Sequence, residues 1–181
     1  MNLLIKISIV FSMLIITTNL FGQDTYGLPT DELTGKIHYQ EVVKMDGTKS
    51  ELYHRAQKWL HTFFRNASSV IKHLDEENGL VEGRRQFKVT TKDKKGREQA
   101  AGTIKYTFKI EVKDGRYRVR LFDFKQASNS GKAIESWFDD TDPKAKELHA
   151  QIFKQLDNDA KKLLASLKKG MRPTEIKEEE W

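Results

Sequence analysis

Between Gly102 and Lys113 apolar and polar positions alternate without interruption. Ile104, Tyr106, Phe108, Ile110 and Val112 fall on one side, and Thr103, Lys105, Thr107, Lys109 and Glu111 on the other. A period of two is the signature of a strand with one buried face. Lys113-Asp114-Gly115 then turns the chain into "RYRVRLFDF", where Tyr117, Val119 and Leu121 alternate with Arg116, Arg118 and Arg120. The same period runs through "TGKIHYQEVVKM", with Ile37, Tyr39, Glu41, Val43 and Met45 opposed to His38, Gln40, Val42 and Lys44. "SVIKHLDEENGLVEGRRQFKVTT" reads as two further strands about a turn at Glu77-Asn78-Gly79, because Asn-Gly adopts positive φ at little cost. "KDKKGRE" is the loop that follows.

Two segments carry the helical period instead. From Glu51 to Asn66, Leu52, Ala56, Trp59, Leu60 and Phe63 form an apolar stripe, with Thr48 or Ser50 available as N-cap. "TDPKAKEL" is a strong helix start, with Asp142 as N-cap and Pro143 in the first turn, where its missing N–H costs nothing. Ala145, Leu148, Ile152, Leu156, Leu163 and Leu167 continue that helix to about Lys169, and Gly170 and Pro173 stop it. Residues 126–139 are polar and poorly periodic, a loop returning Ile134, Trp137 and Phe138 to the core.

The order is β-α-β-β-β-β-α. A sheet with one apolar face and two helices with one stripe each make a two-layer α+β domain: about five antiparallel strands with both helices on one face. The second face is left to water or to a partner. The expected boundaries are a leader over 1–23, a loose segment over 24–33, one domain over 34–170 and a loose tail over 171–181.

Composition adds an address. "MNLLIKISIVFSMLIITTNLFGQ" has one early cation, Lys6, then an uncharged apolar run from Ile7 to Phe21, the layout of a secretory signal peptide. The run is shorter than the roughly 20 residues of a spanning helix, which makes an uncleaved membrane anchor the second reading. The expected location is periplasmic or extracellular. The absence of cysteine excludes disulfides, thiolate metal sites and a thiol nucleophile. With 181 residues and 38% hydrophobic positions, the chain can rely on its core.

Three stretches together resemble a known family: "TKSELYHRAQKWL", "SVIKHLDEENGLVEG" and "VKDGRYRVRLFDF", with Leu52, Tyr53, Trp59, Gly79, Gly83, Gly115, Arg116 and Tyr117 at matching spacings. The family is a secreted domain of unknown function from Bacteroidetes-type bacteria, described as having a TATA-box-binding-protein-like (TBP-like) fold. The similarity runs from about Lys36 to Leu167. Family members often carry a "GxG" after the hairpin; here Gly83 is followed by Arg84-Arg85, so a role for a second glycine does not carry over. The resemblance implies a curved antiparallel sheet with helices on the convex side and an open concave face. It implies no catalytic residues and no activity.

Charge changes the picture of that open face. Lys and Arg total 32 against 26 Asp and Glu, yet residues 84–125 hold fourteen cations against five anions. If Ile104 and Tyr117 face the helices, Lys105, Lys109, Arg118 and Arg120 share the open face with Thr103 and Thr107, and Arg84 or Arg85 joins them according to register. Such a face is either a solvated surface that discourages sheet stacking or a platform for an anionic surface: an acidic protein, a glycan or lipid headgroups. Nucleic acid is disfavoured, because groove-wedging sheets present apolar side chains and this face is charged and hydroxylated.

Catalytic signals are sparse. His54 and His61 can share a helix face but have no third ligand and no HExxH spacing. Asp139, Asp140 and Asp142 lack the spacing and glycine of a calcium loop, and helix capping explains them. Ser68, Ser69 and Ser128 lie in no nucleophile motif, and Trp59 and Trp137 read as packing residues. The sequence therefore indicates no metal, no cofactor and no enzyme, with an envelope hydrolase of unreadable site as the alternative.

Overall fold

The structure, a computed structural model, describes residues 25–93, 95–128 and 131–173. The expected leader and most of the expected tail lie outside the described residues. Five strands and two long helices form in the order read from the sequence: β1 (Tyr39–Lys44), α1 (Lys49–Phe63), a single turn α2 (Ala67–Val70), β2 (Ile71–Asp75), β3 (Leu80–Lys92), β4 (Glu98–Lys113), β5 (Arg116–Gln126), a 3-10 turn (Ile134–Trp137) and α3 (Pro143–Gly170). The strands make one antiparallel sheet in the order β1-β5-β4-β3-β2.

Local chemistry sets the boundaries. Thr48 opens α1 with a reciprocal capping box: its hydroxyl accepts from the Glu51 N–H at 3.3 Å, while Glu51 Oε2 accepts from the Thr48 N–H at 2.7 Å. Asn66 does not merely end that helix. Its side chain accepts from the Ser69 N–H and caps α2, which the sequence did not announce. Asp142 caps α3 as expected, accepting from the Lys144 N–H at 2.9 Å.

β4 begins at Glu98 rather than Gly102. Asp93 accepts from the Lys95 and Arg97 N–H groups and from the Arg97 guanidinium, which closes a tight loop and lets Glu98 pair with Lys92. Gly102, at φ +119, accommodates a bulge in which the register slips between Val89 and Thr90. A second slip lies between Lys105 and Thr107, opposite Asp123 at φ +60. Asp tolerates that left-handed geometry, and the slip turns both Leu121 and Phe124 inward although they are three residues apart.

The core lies between sheet and helices. Ile104, Tyr106, Phe108, Ile110, Val112, Tyr117, Val119 and Leu121 are all buried beneath Leu52, Ala56, Trp59 and Leu60 of α1 and Ile152, Leu156, Leu163 and Leu167 of α3. Each fully buried large side chain contributes about 1.5–3 kcal/mol relative to exposure. Gly170 lets α3 approach α1 closely: a Cβ there would sit 2.7 Å from Trp59 Cδ1.

Three expectations need correction. Leu148 is 40% exposed, and His149 takes the buried position at the start of the α3 stripe. The segment read as loose over 24–33 is docked from Thr25 onward: Tyr26 packs on Phe153 with ring centroids 4.8 Å apart, Leu28 is buried, and Thr30 bridges Ile37. Met171, placed in the tail, is fully buried, and its carbonyl accepts from Arg55 Nη1.

Candidate functional site

Cross-strand register decides which side chains share the face that the helices leave open. The Asp114-Gly115 turn pairs Lys113 with Arg116, and so Glu111 with Arg118 and Lys109 with Arg120. On β1, Val42 pairs with Arg118 and Gln40 with Arg120. On β3, Glu82 pairs with Lys109, Arg84 with Thr107 and Gln86 with Lys105. The buried partners of the opposite parity, such as Ile110 with Val119 and Phe108 with Leu121, lie beneath the helices. Lys105, Lys109, Arg118, Arg120 and Arg84 thus come together on the open side across three adjacent strands.

Their environments differ. Glu111 accepts from Arg118 Nε at 3.0 Å and Nη2 at 2.9 Å, and from Arg120 Nη2 at 2.9 Å. The hydrogen bonds from Arg118 are the main reason that the Glu111 carboxyl is held below its usual range, with Arg120 adding its charge. The same contact raises Arg118, whose side chain is 43% exposed. Two arginines on one carboxylate leave a net positive charge in fixed geometry. Lys105, Lys109 and Arg84 have no ion pair or side-chain hydrogen bond among the described residues. A hollow of about 300 Å³ opens beside the pair, lined by Val42, Glu111, Lys113, Arg116, Tyr117 and Arg118. Val42, 61% exposed, is its apolar floor.

Arg85 is resolved against the open face. It points toward α3, where its Nε and Nη2 donate to the two Asp159 carboxylate oxygens at 2.7 and 2.6 Å. Tyr106 donates to the same Asp159 at 2.9 Å, and the guanidinium lies over the Phe63 and Phe64 rings at 5.4 and 5.7 Å. Burial and the Asp159 charge push the Tyr106 hydroxyl far up. This buried triad, and the role of Glu111 as the hub of two arginines, were missed in the sequence. The turn register alone would have revealed Glu111.

The other candidates disperse. His54 sits 3.8 Å from Glu76 and contacts Ser50, and His61 is exposed about two turns further on. Among the described residues no group of three or more His, Asp or Glu side chains could hold a metal ion. Asp140 accepts from the Asp142 N–H at 3.1 Å and faces His149 at 3.8 Å, while Asp142 caps α3. Ser69 donates to the Asn66 carbonyl. Trp59 is buried and donates to Ser166 at 3.1 Å, and Trp137 stacks on His149 with centroids 4.5 Å apart. No helix of the described residues is long and apolar enough to cross a membrane.

An open five-stranded antiparallel sheet covered by helices on one face is the architecture of TBP-like α+β domains. Residues 39–126, which span every strand, match the model of the family described as "Domain of unknown function (DUF4468) with TBP-like fold". Two solved structures share the fold. A DUF4468 family protein from Bacteroides ovatus superposes with a TM-score of 0.63 at 14% identity, covering 82% of this chain and 93% of that one. A TBP-like protein from Parabacteroides distasonis gives 0.57 at 18% identity, covering 79% and 96%. No curated protein matches the chain.

Proposed function

We propose that this is a non-enzymatic binding domain, exported by its first 23 residues to the periplasm or beyond, whose open sheet face engages an acidic partner. One observation carries the reading. Among the described residues, Lys105, Lys109 and Arg84 stand unpaired on the face that the helices leave open, around an Arg118–Glu111–Arg120 cluster that keeps its two guanidiniums ordered. Ordered guanidiniums lose little freedom when they take a carboxylate or phosphate. Unpaired lysines supply the long-range attraction that steers an anionic surface. The face is mostly charged and hydroxylated, with Val42 its most exposed apolar side chain, which is little to wedge between base pairs, so the fold's name lends no support to DNA binding.

The test is binding to poly-L-glutamate, to heparin and to vesicles containing phosphatidylglycerol, which separates acidic protein, glycan and lipid. Affinity is expected to fall steeply as salt rises, since charges more than about 8–10 Å apart are screened at physiological ionic strength. Replacing Lys105, Arg118 and Arg120 with glutamate is expected to abolish binding with an unchanged circular dichroism spectrum. Because Arg118 and Arg120 also hold Glu111, Lys105→Glu with Lys109→Glu serves as the second variant. Retention of binding by both refutes the proposal.

A further inference from the structure

The edge of β3 is only half covered. β2 pairs with β3 from Leu80 to Gly83 and stops, because the chain before Ile71 turns into α2. The far end is closed differently. Gln155 of α3 reaches across to Thr90, accepting from its N–H at 3.0 Å and donating to its carbonyl at 2.6 Å, and Gln151 accepts from the Lys92 N–H at 3.1 Å. These two glutamines imitate a neighbouring strand. They also fix the parity: even-numbered residues of β3 turn their peptide groups outward, as the Gly79–Val112 hydrogen bond on the β4 side requires of the odd ones. Beyond the Ile71–Gly83 pair, which occupies the Arg84 N–H, the outward N–H and C=O groups of Gln86 and Lys88 have no strand partner among the described residues. The gap between Gly83 and Thr90 spans roughly 23 Å at about 3.3 Å per residue.

Beside this gap lies a hollow of about 430 Å³ whose lining includes Arg65, Lys72, Arg84 and Arg85 and no carboxylate, with Phe64 and Val70 as its apolar wall. Arg65 and Arg84 have no partner among the described residues. We propose that the β3 edge from Arg84 to Lys88 takes an extended acidic peptide as an added strand. The site lies apart from the Arg118 cluster and goes beyond the open-face reading. Strand addition supplies main-chain hydrogen bonds, and alternate side chains supply specificity. Residues of the peptide opposite Arg84 and Lys88 fall on the open face and are acidic. Those between them turn toward Phe87 and Val70 and are apolar. A second copy of this chain is excluded as occupant by its own edge, which would set Arg84 and Lys88 against like charges.

The probe is a fluorescein-labelled peptide with the core Glu-Val-Thr-Val-Glu, followed by fluorescence anisotropy with the full chain. Saturable binding is expected, and N-methylation of the peptide amides that face β3 is expected to weaken it at least tenfold at equal charge. Gln86→Pro removes one outward N–H without touching the β4 ladder, as edge strands tolerate, and is expected to weaken binding at least tenfold. Arg118→Gln, on β5, separates the two sites: binding lost in Arg118→Gln but kept in Gln86→Pro would place the peptide on the open face and overturn the proposal. Absence of binding, or equal affinity for the N-methylated peptide, overturns the proposal. If Gln86→Pro does not fold, amide exchange in the unaltered protein decides: at least tenfold slowing at Gln86 and Lys88 on peptide addition supports strand addition, and unchanged exchange overturns it.

Discussion

Arg84 and Arg85 are neighbours in the chain, and their replacement by alanine should have opposite consequences. The Arg84 side chain has no partner among the described residues and lies on the open face, so Arg84→Ala should cost less than about 0.5 kcal/mol. Arg85 and Asp159 are only 20% and 12% exposed and share two short hydrogen bonds, with Tyr106 as a third member. Removing the guanidinium strands the carboxylate beneath α3 and strips the contact over Phe63 and Phe64. Breaking a buried pair from one side costs about 3–5 kcal/mol. The lower figure is expected here, because the pair retains some solvent. In a domain of this size that lowers Tm by roughly 10 °C. Urea denaturation followed by tryptophan fluorescence, with Trp59 in the same core, measures both variants on one scale. The double replacement Arg85→Met with Asp159→Leu should recover most of the loss, since a packed apolar pair often matches an ion pair. Equal midpoints for Arg84→Ala and Arg85→Ala would refute the assignment of the two residues to opposite faces.

Two further outcomes test the packing. Gly83→Ala places a methyl group on the Phe108 ring and should destabilise by about 1–3 kcal/mol, a cost that Phe108→Leu in the same chain should partly relieve; urea midpoints of the two single variants and the double measure this. His149 is held below its ordinary pKa of 6.5 by burial, which outweighs the attraction of Asp140. The unfolded chain therefore binds more protons. Stability is fully present above pH 6.5 and falls as the pH drops through that value toward the folded pKa. His149→Phe keeps the ring against Trp137 and should flatten that part of the profile, and an unchanged slope between pH 7 and pH 5 would show that other groups produce it.

Alternation carried most of the fold into the sequence. Gly102 to Lys113 and Arg116 to Leu121 show their buried faces at a period of two, and α1 shows its stripe at helical spacing, because burial against one layer leaves no other arrangement of apolar groups. The bulges were not visible. Whether Gly102 starts a strand or relieves a bulge depends on its pairing with β3, which no local pattern reports. Arg85 was ambiguous for a related reason: a cation beneath a helix is allowed only when a carboxylate from a distant element meets it, and Asp159 lies 74 residues away. His149 displaced Leu148 from the core through its stack on Trp137, a contact between a loop and a helix that periodicity does not encode. Lys105, Lys109, Arg118 and Arg120 were readable from parity alone, whereas the choice of Arg84 over Arg85 required the β3–β4 register and the convergence of Arg118 and Arg120 on Glu111 required the turn register. The leader expected over residues 1–23 rests on composition alone.

The open-face account turns on where an acidic ligand touches the sheet. The most direct measurement is a two-dimensional amide NMR titration of the full chain with poly-L-glutamate at low salt. The account predicts that shifts concentrate at Lys105, Lys109, Arg118 and Arg120 and disappear on added salt. Shifts confined to the helices α1 and α3, or none at saturating ligand, would contradict it.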